Sequence, residues 1–423
     1  MLECGVTLTF FNKQLSRRRF LNASFLGAGL VGIGLGGGDE ALRVGRGVFG
    51  IEEAWHSASL PNDDFLAAKG AAFAKVALGC SFAPELWSRR ERESGGALAG
   101  LRFAVEDLGL QDVRLGIRWD GAVRPDGSVD LRLYRPYLDY CFDRGVNLAL
   151  NVGPIRTFRW PEDHVPAFVL DRTGTPAYHS TIQSDSALAA AAQQYLDRLL
   201  DRLLADYGDH VLRLAVIQPE NEAFWPFGAH RWSMSEQYLA AVFQQVAGKL
   251  PGVPLLLTSA GRLNLRAVTN FFLKLMAEHE DFRGRLISGF DYHYKTPRLQ
   301  PYPLVRYLDP VVLALRFPPA KTCDANIRDS RAAGFRIEVS EGEAEPTGTI
   351  TSPGNSARDF RFMLLRCAEN VLDPEAEASV LRIWGVEYLA RKALTGEASA
   401  EHRQIFALLQ DLTGAEAPTV RRG

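Results

Sequence analysis

A closed α/β barrel of eight strand–helix units, a single-domain (β/α)8 barrel of the TIM type, is the fold class this 423-residue sequence predicts. Three observations carry the prediction. From about residue 45 onward, short β-type runs alternate with segments of helical period, the pattern of parallel strands joined by crossover helices. The alternation yields eight strand candidates. No internal repeat, low-complexity stretch or linker sets off a second domain between residues 45 and 423. The elements follow in order. Ala74–Gly79 reads as the first strand and Asp112–Ile117 as the second. The third, Val146–Val152, follows the helix-period segment Tyr134–Arg144, which Gly145 ends. Ser186 starts a long helix with apolar positions at Leu188, Tyr195, Leu199 and Leu203, and Gly208 is placed to stop it. Leu212–Ile217, Pro254–Thr258, Leu286–Tyr292, Arg336–Ser340 and Ser379–Ile383 complete the set. Helical stretches Glu236–Leu250, Ala267–Ala277 and Ala357–Asn370 lie between them, and the Pro-rich span Lys295–Gly334 predicts an elaborated loop on the upper rim.

Composition narrows the function classes. Apolar residues make up 47% and charged residues 23%, the balance of an ordinary globular chain long enough to bury a large core. Forty-eight basic residues stand against 50 acidic ones, so no electrostatic case for nucleic acid exists. Five scattered cysteines (Cys4, Cys80, Cys141, Cys323, Cys367) show no C-x-x-C and no Cys/His spacing, which gives no zinc site and no disulfide framework. No metal and no cofactor is expected.

Residues 1–40 read differently from the rest. Ser16-Arg17-Arg18-Arg19-Phe20-Leu21 precedes the apolar, Gly-rich run Ala23–Leu35, and charge returns at Asp39. A basic start before a short, weakly hydrophobic stretch is the layout of an export signal, and the consecutive arginines resemble the twin-arginine type. The run is too short for a comfortable membrane span. The expectation is delivery by the export machinery to the periplasm or the extracellular space. No clear A-x-A cleavage site is visible, and a retained signal would act as a membrane anchor.

In such a barrel, chemistry sits at the C-terminal strand ends. The fourth strand candidate leads into Gln218-Pro219-Glu220-Asn221-Glu222 and the seventh into Glu341-Gly342-Glu343-Ala344-Glu345-Pro346. The eighth ends in Trp384-Gly385-Val386-Glu387-Tyr388, the sixth in Asp291-Tyr292-His293-Tyr294, and the third leads into Arg159-Trp160-Pro161-Glu162-Asp163-His164. Two carboxyls facing one another across a barrel mouth are what glycosidic cleavage needs. One gives a proton to the leaving oxygen, and the other attacks the anomeric carbon or activates water. An adjacent Asn amide can hold a sugar hydroxyl, and a strand-end Trp offers an apolar face to a pyranose.

The run Ile217-Gln218-Pro219-Glu220-Asn221-Glu222 is close to the Gln-x-Glu-Asn-Glu stretch of the β-galactosidase branch of the clan A glycoside hydrolases. Val339-Ser340-Glu341-Gly342-Glu343-Ala344-Glu345-Pro346 resembles the strand-seven stretch of a cellulase-like subgroup of that clan, as do Arg159-Trp160-Pro161-Glu162 with His164 and Pro166, and Trp384-Gly385-Val386-Glu387-Tyr388. The resemblance covers about Cys80 to Gly396. It implies a retaining hydrolase of β-glycosidic bonds in an oligo- or polysaccharide, with Glu222 as general acid/base and Glu341 as nucleophile. Spacing alone does not choose among Glu338, Glu341, Glu343 and Glu345. Glu341 is favoured because it follows the β-run Ile337–Val339, whereas Glu338 suits a buried pair with a strand-borne arginine, and Glu343 and Glu345 suit a solvated loop. The resemblance further implies substrate-binding roles for Asn221, Arg114, Trp160, His293, Tyr294 and Trp384. Arg114 either keeps Glu341 ionised or forms an ordinary barrel-core salt bridge. Tyr294 or His293 donates a hydrogen bond to Glu341, unless His293 is a satisfied core residue. Trp384 either lies under the sugar or packs in the core. Glu162 and His164 either contact sugar hydroxyls or organise the third loop. Trp119, Trp225 and Trp232 divide between sugar platforms and packing. The chain departs from the resemblance in two ways. The amphipathic helix Ala398–Leu412 closes the barrel with no accessory β-sandwich after it, and Thr347 stands where the subgroup carries an aromatic residue. A non-catalytic carbohydrate-binding barrel is the alternative reading.

Overall fold

The computed structural model describes residues 73, 76–159, 162–226, 228–260, 262–292, 327–343 and 379–415, with isolated helical positions between 357 and 367. All belong to one compact unit spanning Leu60–Asp309 and Arg316–Gly423. The export-signal expectation at residues 1–40, and most of the loop expected at Lys295–Gly334, lie outside the described residues.

Among the described residues, ten strands occur in chain order: β1 (Val76–Phe82), β2 (Asp112–Gly116), β3 (Asn147–Asn151), β4 (Thr181–Ile182), β5 (Val216–Glu220), β6 (Ser233–Met234), β7 (Leu255–Ala260), β8 (Leu286–Tyr292), β9 (Arg336–Glu343) and β10 (Ser379–Trp384). All but β4 and β6 close into a barrel in the order β1-β2-β3-β5-β7-β8-β9-β10, every neighbouring pair parallel. This is the (β/α)8 architecture. The short strands β4 and β6 pair with one another and tie the chain after β3 to the chain after β5.

Strand alternation divides the side chains between two environments. Val113 and Leu115 of β2, Leu148 and Leu150 of β3, and Ile337 and Val339 of β9 join the large apolar layer between barrel and helices. Ala149, Val216, Leu256 and Ile287 form a separate apolar cluster. Much of the remaining interior is polar. Arg382 of β10 reaches Asp112 of β2 at 2.6 Å and Glu338 of β9 at 2.9 Å, all three buried, so Glu338 is an ion-pairing residue.

The helices follow their sequence signals. Ala187–Tyr207 begins where the Ser186 hydroxyl accepts from the Ala189 amide at 3.1 Å, and it ends at Gly208, whose φ is 51°. The fourth barrel strand starts later than its apolar run predicts, at Val216 and not Leu212. Asp209–Leu212 forms a short helix instead, leaving Leu212 41% exposed. The same strand continues through Pro219, which has no amide proton to give a ladder. The β5–β7 register shifts between Ile217 and Glu220, which accommodates the missing donor.

A second register shift shapes the site. Along β8 and β9, Phe290 pairs with Val339 but Asp291 pairs with Glu341, so Ser340 is an extra residue in a β-bulge. Without it, alternation from the inward-facing Glu338 would turn residue 341 toward the helices. With it, Glu341 stands opposite the inward-facing Asp291. Gly289 makes room for the bulge: a Cβ there would lie 2.3 Å from the Ser340 hydroxyl oxygen.

Candidate active site

The carboxyl ends of the strands gather a cluster of buried polar side chains around Arg114. Its guanidinium donates from Nη1 to Glu341 Oε1 at 2.5 Å, from Nε to Gln218 Oε1 at 2.8 Å and from Nη2 to Asn221 Oδ1 at 2.7 Å. It also lies over the Phe158 ring, 4.3 Å from the centroid. One fully buried arginine on β2 thereby fixes a carboxylate from β9 and an amide from the turn after β5.

Asn221 Oδ1 accepts from three donors: Arg114, Gln218 Nε2 at 3.0 Å and Thr258 Oγ1 at 2.8 Å. That saturation fixes the amide orientation, and no acceptor for its Nδ2 is found among the described residues. Thr258 Oγ1 in turn accepts from the Glu222 backbone amide at 2.9 Å. Glu222 itself sits at φ 41°, in the left-handed region, and Arg159 and Glu162 share that region at 83° and 66°. Such conformations cost of order 1–3 kcal/mol each and gather where the surroundings hold a side chain for use.

Arg156 holds this turn in place. Its Nη1 donates to the carbonyls of Glu222 at 3.0 Å and Trp225 at 2.9 Å, its Nη2 to the Trp232 carbonyl, and its Nε to Asp163 at 3.2 Å. Glu220 binds the loop after β3 to the same place, accepting from the Ile155 and Arg156 amides and from the Tyr238 hydroxyl. Burial pushes its carboxyl up to about 8 against those donors.

Four acids crowd the cluster: Glu162, Glu222, Asp291 and Glu341. Burial raises Glu222 to about 7, and the negative charge of Glu341 pushes the same way, while Arg156, a hydrogen bond from Asp291 and Arg114 oppose the rise. Asp291 is raised well above the carboxylate range by burial, then by Glu341 and Glu222. Glu162 is raised likewise by burial and by Glu222, against the pull of Arg156. Among the described residues, no three His, Cys, Asp or Glu side chains are arranged to hold a cation.

Of the residues singled out from sequence, Glu222, Glu341, Asn221 and Arg114 are thus brought into one connected cluster. Trp384, partly exposed at the end of β10, borders it through Phe158, at 5.9 Å between ring centroids. The Arg159 guanidinium covers one face of the Trp384 indole at 3.5 Å and is ion-paired with Glu387. Trp160, His293 and Tyr294 lie outside the described residues. Trp119 stacks on Tyr195 and Trp232 on His230, both buried, so these two pack; Trp225 is 42% exposed. His164 is buried 3.7 Å from Asp120. Sequence reading passed over Asp291, Gln218, Thr258 and Arg156. The signal for Asp291 was present: alternation through Ile287 and Gly289 puts it on the inward face, at a strand's carboxyl end.

Fold and site together define a (β/α)8 barrel protein with an arginine-bridged acid cluster at the mouth. No family model matches the chain, and no curated protein matches it. Among solved structures it is similar to a family GH10 endoxylanase from a sugarcane soil metagenome, at 13% identity and a TM-score of 0.47 over 75% of this chain and 88% of that one. It is similar to xylanase 10C of Cellvibrio japonicus, at 13% identity and 0.48 over 80% and 71%. It is also similar to a family GH30 subfamily 8 xylanase of Clostridium acetobutylicum, at 16% identity and 0.41 over 73% and 64%.

Proposed function

We propose that this protein is a retaining glycoside hydrolase that cleaves a β-glycosidic bond in an oligo- or polysaccharide outside the cytoplasm. Glu222 is the general acid/base and Glu341 the nucleophile. The observation that carries the reading is the asymmetry of the two buried carboxyls: Arg114 is ion-paired with Glu341, while burial and the charge of Glu341 keep a proton on Glu222 up to about pH 7.

That asymmetry performs both steps. Glu222 gives its proton to the glycosidic oxygen as the C–O bond breaks, and the Glu341 carboxylate bonds to the anomeric carbon as an ester. Esterification removes the negative charge that had raised Glu222, so its proton affinity falls once it has lost its proton. It then takes a proton from water, whose oxygen displaces Glu341 and restores the carboxylate. Asn221, its Oδ1 held by three donors, offers Nδ2 to the hydroxyl beside the reacting carbon. Trp384, at the end of β10, is the aromatic side chain placed for the C–H side of the ring.

A screen of p-nitrophenyl β-glycosides and soluble polysaccharides tests the reading. E341A should be nearly inactive and regain turnover with azide, giving a glycosyl azide of inverted configuration. Rescue appearing in E343A or E345A would move the nucleophile. Binding of polysaccharide without hydrolysis by the unaltered chain would make this a carbohydrate-binding barrel.

A further inference from the structure

We infer that Asp291 is a positioning residue of this site: its buried, neutral carboxyl donates a hydrogen bond to Glu222 and so holds the acid/base in place. Its part in turnover rests on the glycosidase reading; its geometry does not.

Asp291 is wholly buried on the inward face of β8, and the bulge in β9 brings Glu341 opposite it in the ladder. Both of its oxygens are closed off from solvent, and among the described residues no donor reaches either of them. The charged groups that face it come from three other elements: Glu341 from β9, Glu222 from the turn after β5, and Arg114 from β2. Arg114 directs its donors elsewhere, to Glu341, Ser81, Gln218 and Asn221. An ionised Asp291 would therefore be a second negative charge beside Glu341, and a third whenever Glu222 has lost its proton, with two desolvated oxygens and no donor to them among the described residues, an arrangement proteins avoid by taking up a proton. The proton answers both problems. It cancels the charge and turns an acceptor-only group into a donor, with the Glu222 carboxyl in reach. Burial and the two neighbouring acids act in the same direction.

The consequence falls on Glu222. A hydrogen bond from Asp291 favours its ionised form, opposing burial and Glu341. Asp291 thus keeps the acid from becoming too weak to give up its proton, and it steadies the carboxylate that serves as base in the second step.

Three variants and two measurements test this. D291A removes the donor: kcat should fall about tenfold or more, and the alkaline limb of kcat/KM should move up by about half a pH unit or more, because the ionised Glu222 has lost support. D291N keeps a donor that cannot ionise, and it should restore most of the rate and return the limb to its wild-type position. The second measurement needs no turnover. Infrared spectra of the full chain at pH 8 should show a protonated-carboxyl C=O band that D291N removes and E162Q leaves. A band untouched by D291N overturns the inference. So does a limb that moves down in D291N, the signature of an ionised neighbour removed, and so does a D291A enzyme with wild-type rate and limb. A chain that hydrolyses no glycoside at all would remove the enzymatic reading, and the infrared result would then decide the state of Asp291 by itself.

Discussion

Replacing Glu222 with glutamine should make the folded protein more stable, and only on the alkaline side. The carboxyl is buried beside Glu341, and its proton affinity rises from 4.5 to about 7 on folding. At ~1.4 kcal/mol per pH unit that rise is on the order of 3 kcal/mol, a ceiling because Glu341 and Asp291 share the effect. Since the folded-state value is raised, the stabilisation is complete below pH 4.5 and is lost as pH climbs through 7. Glutamine has the same shape and no proton to lose. E222Q should therefore match the wild type near pH 4.5 and exceed it at pH 8 by up to about 3 kcal/mol. In a chain of this size each kcal/mol moves Tm by ~1–2 °C. Urea or thermal unfolding of both proteins between pH 4 and pH 9 reads the difference directly. A stability gap that does not change with pH, or a variant weaker than the wild type at pH 8, would refute the placement of Glu222 against Glu341. The same variant should lose roughly 10²–10⁴-fold in turnover, the usual effect of removing an acid/base.

Three further outcomes are expected. R114M leaves Glu341 buried without its cation and should lose about 3–5 kcal/mol in urea unfolding, and R114M/E341Q should recover much of it; strictly additive losses would contradict the pairing. G289A presses a methyl group against the Ser340 hydroxyl and Thr258 Cγ2, and should lower stability by about 1–3 kcal/mol together with turnover; wild-type behaviour would show that the bulge is not held from β8. Residues 1–40 fused to a reporter should carry it out of the cytoplasm only while Arg17 and Arg18 are intact, and a reporter that stays inside would remove the export proposal.

The barrel was legible because its evidence is periodic. Strand runs such as Asp112–Gly116 and Leu286–Tyr292 show the β-type composition their burial requires, and helix ends carry their own caps, Ser186 and Gly208 among them. The start of β5 was not, since Leu212–Ile217 is apolar throughout and the one-turn helix at Asp209–Leu212 carries no distinct period. Within the site, Glu222 and Asn221 stood out as a short motif at a strand end. Asp291 did not: alternation puts it on the inward face at a strand end, but its partners Glu222 and Glu341 come from distant parts of the chain. Arg156 was hidden for a related reason: its contacts run to carbonyls of Glu222, Trp225 and Trp232, 66, 69 and 76 residues further along the chain, which no local pattern encodes.

The bulge at Ser340 divides β9 into two lengths of opposite phase, and each is anchored by a different arginine. Below it, Glu338 is clamped to Arg382; above it, Glu341 is clamped to Arg114. The kink therefore cannot migrate along the strand, since sliding it either way would tear a buried ion pair apart. A defect in the ladder has become a fixed address for one carboxylate.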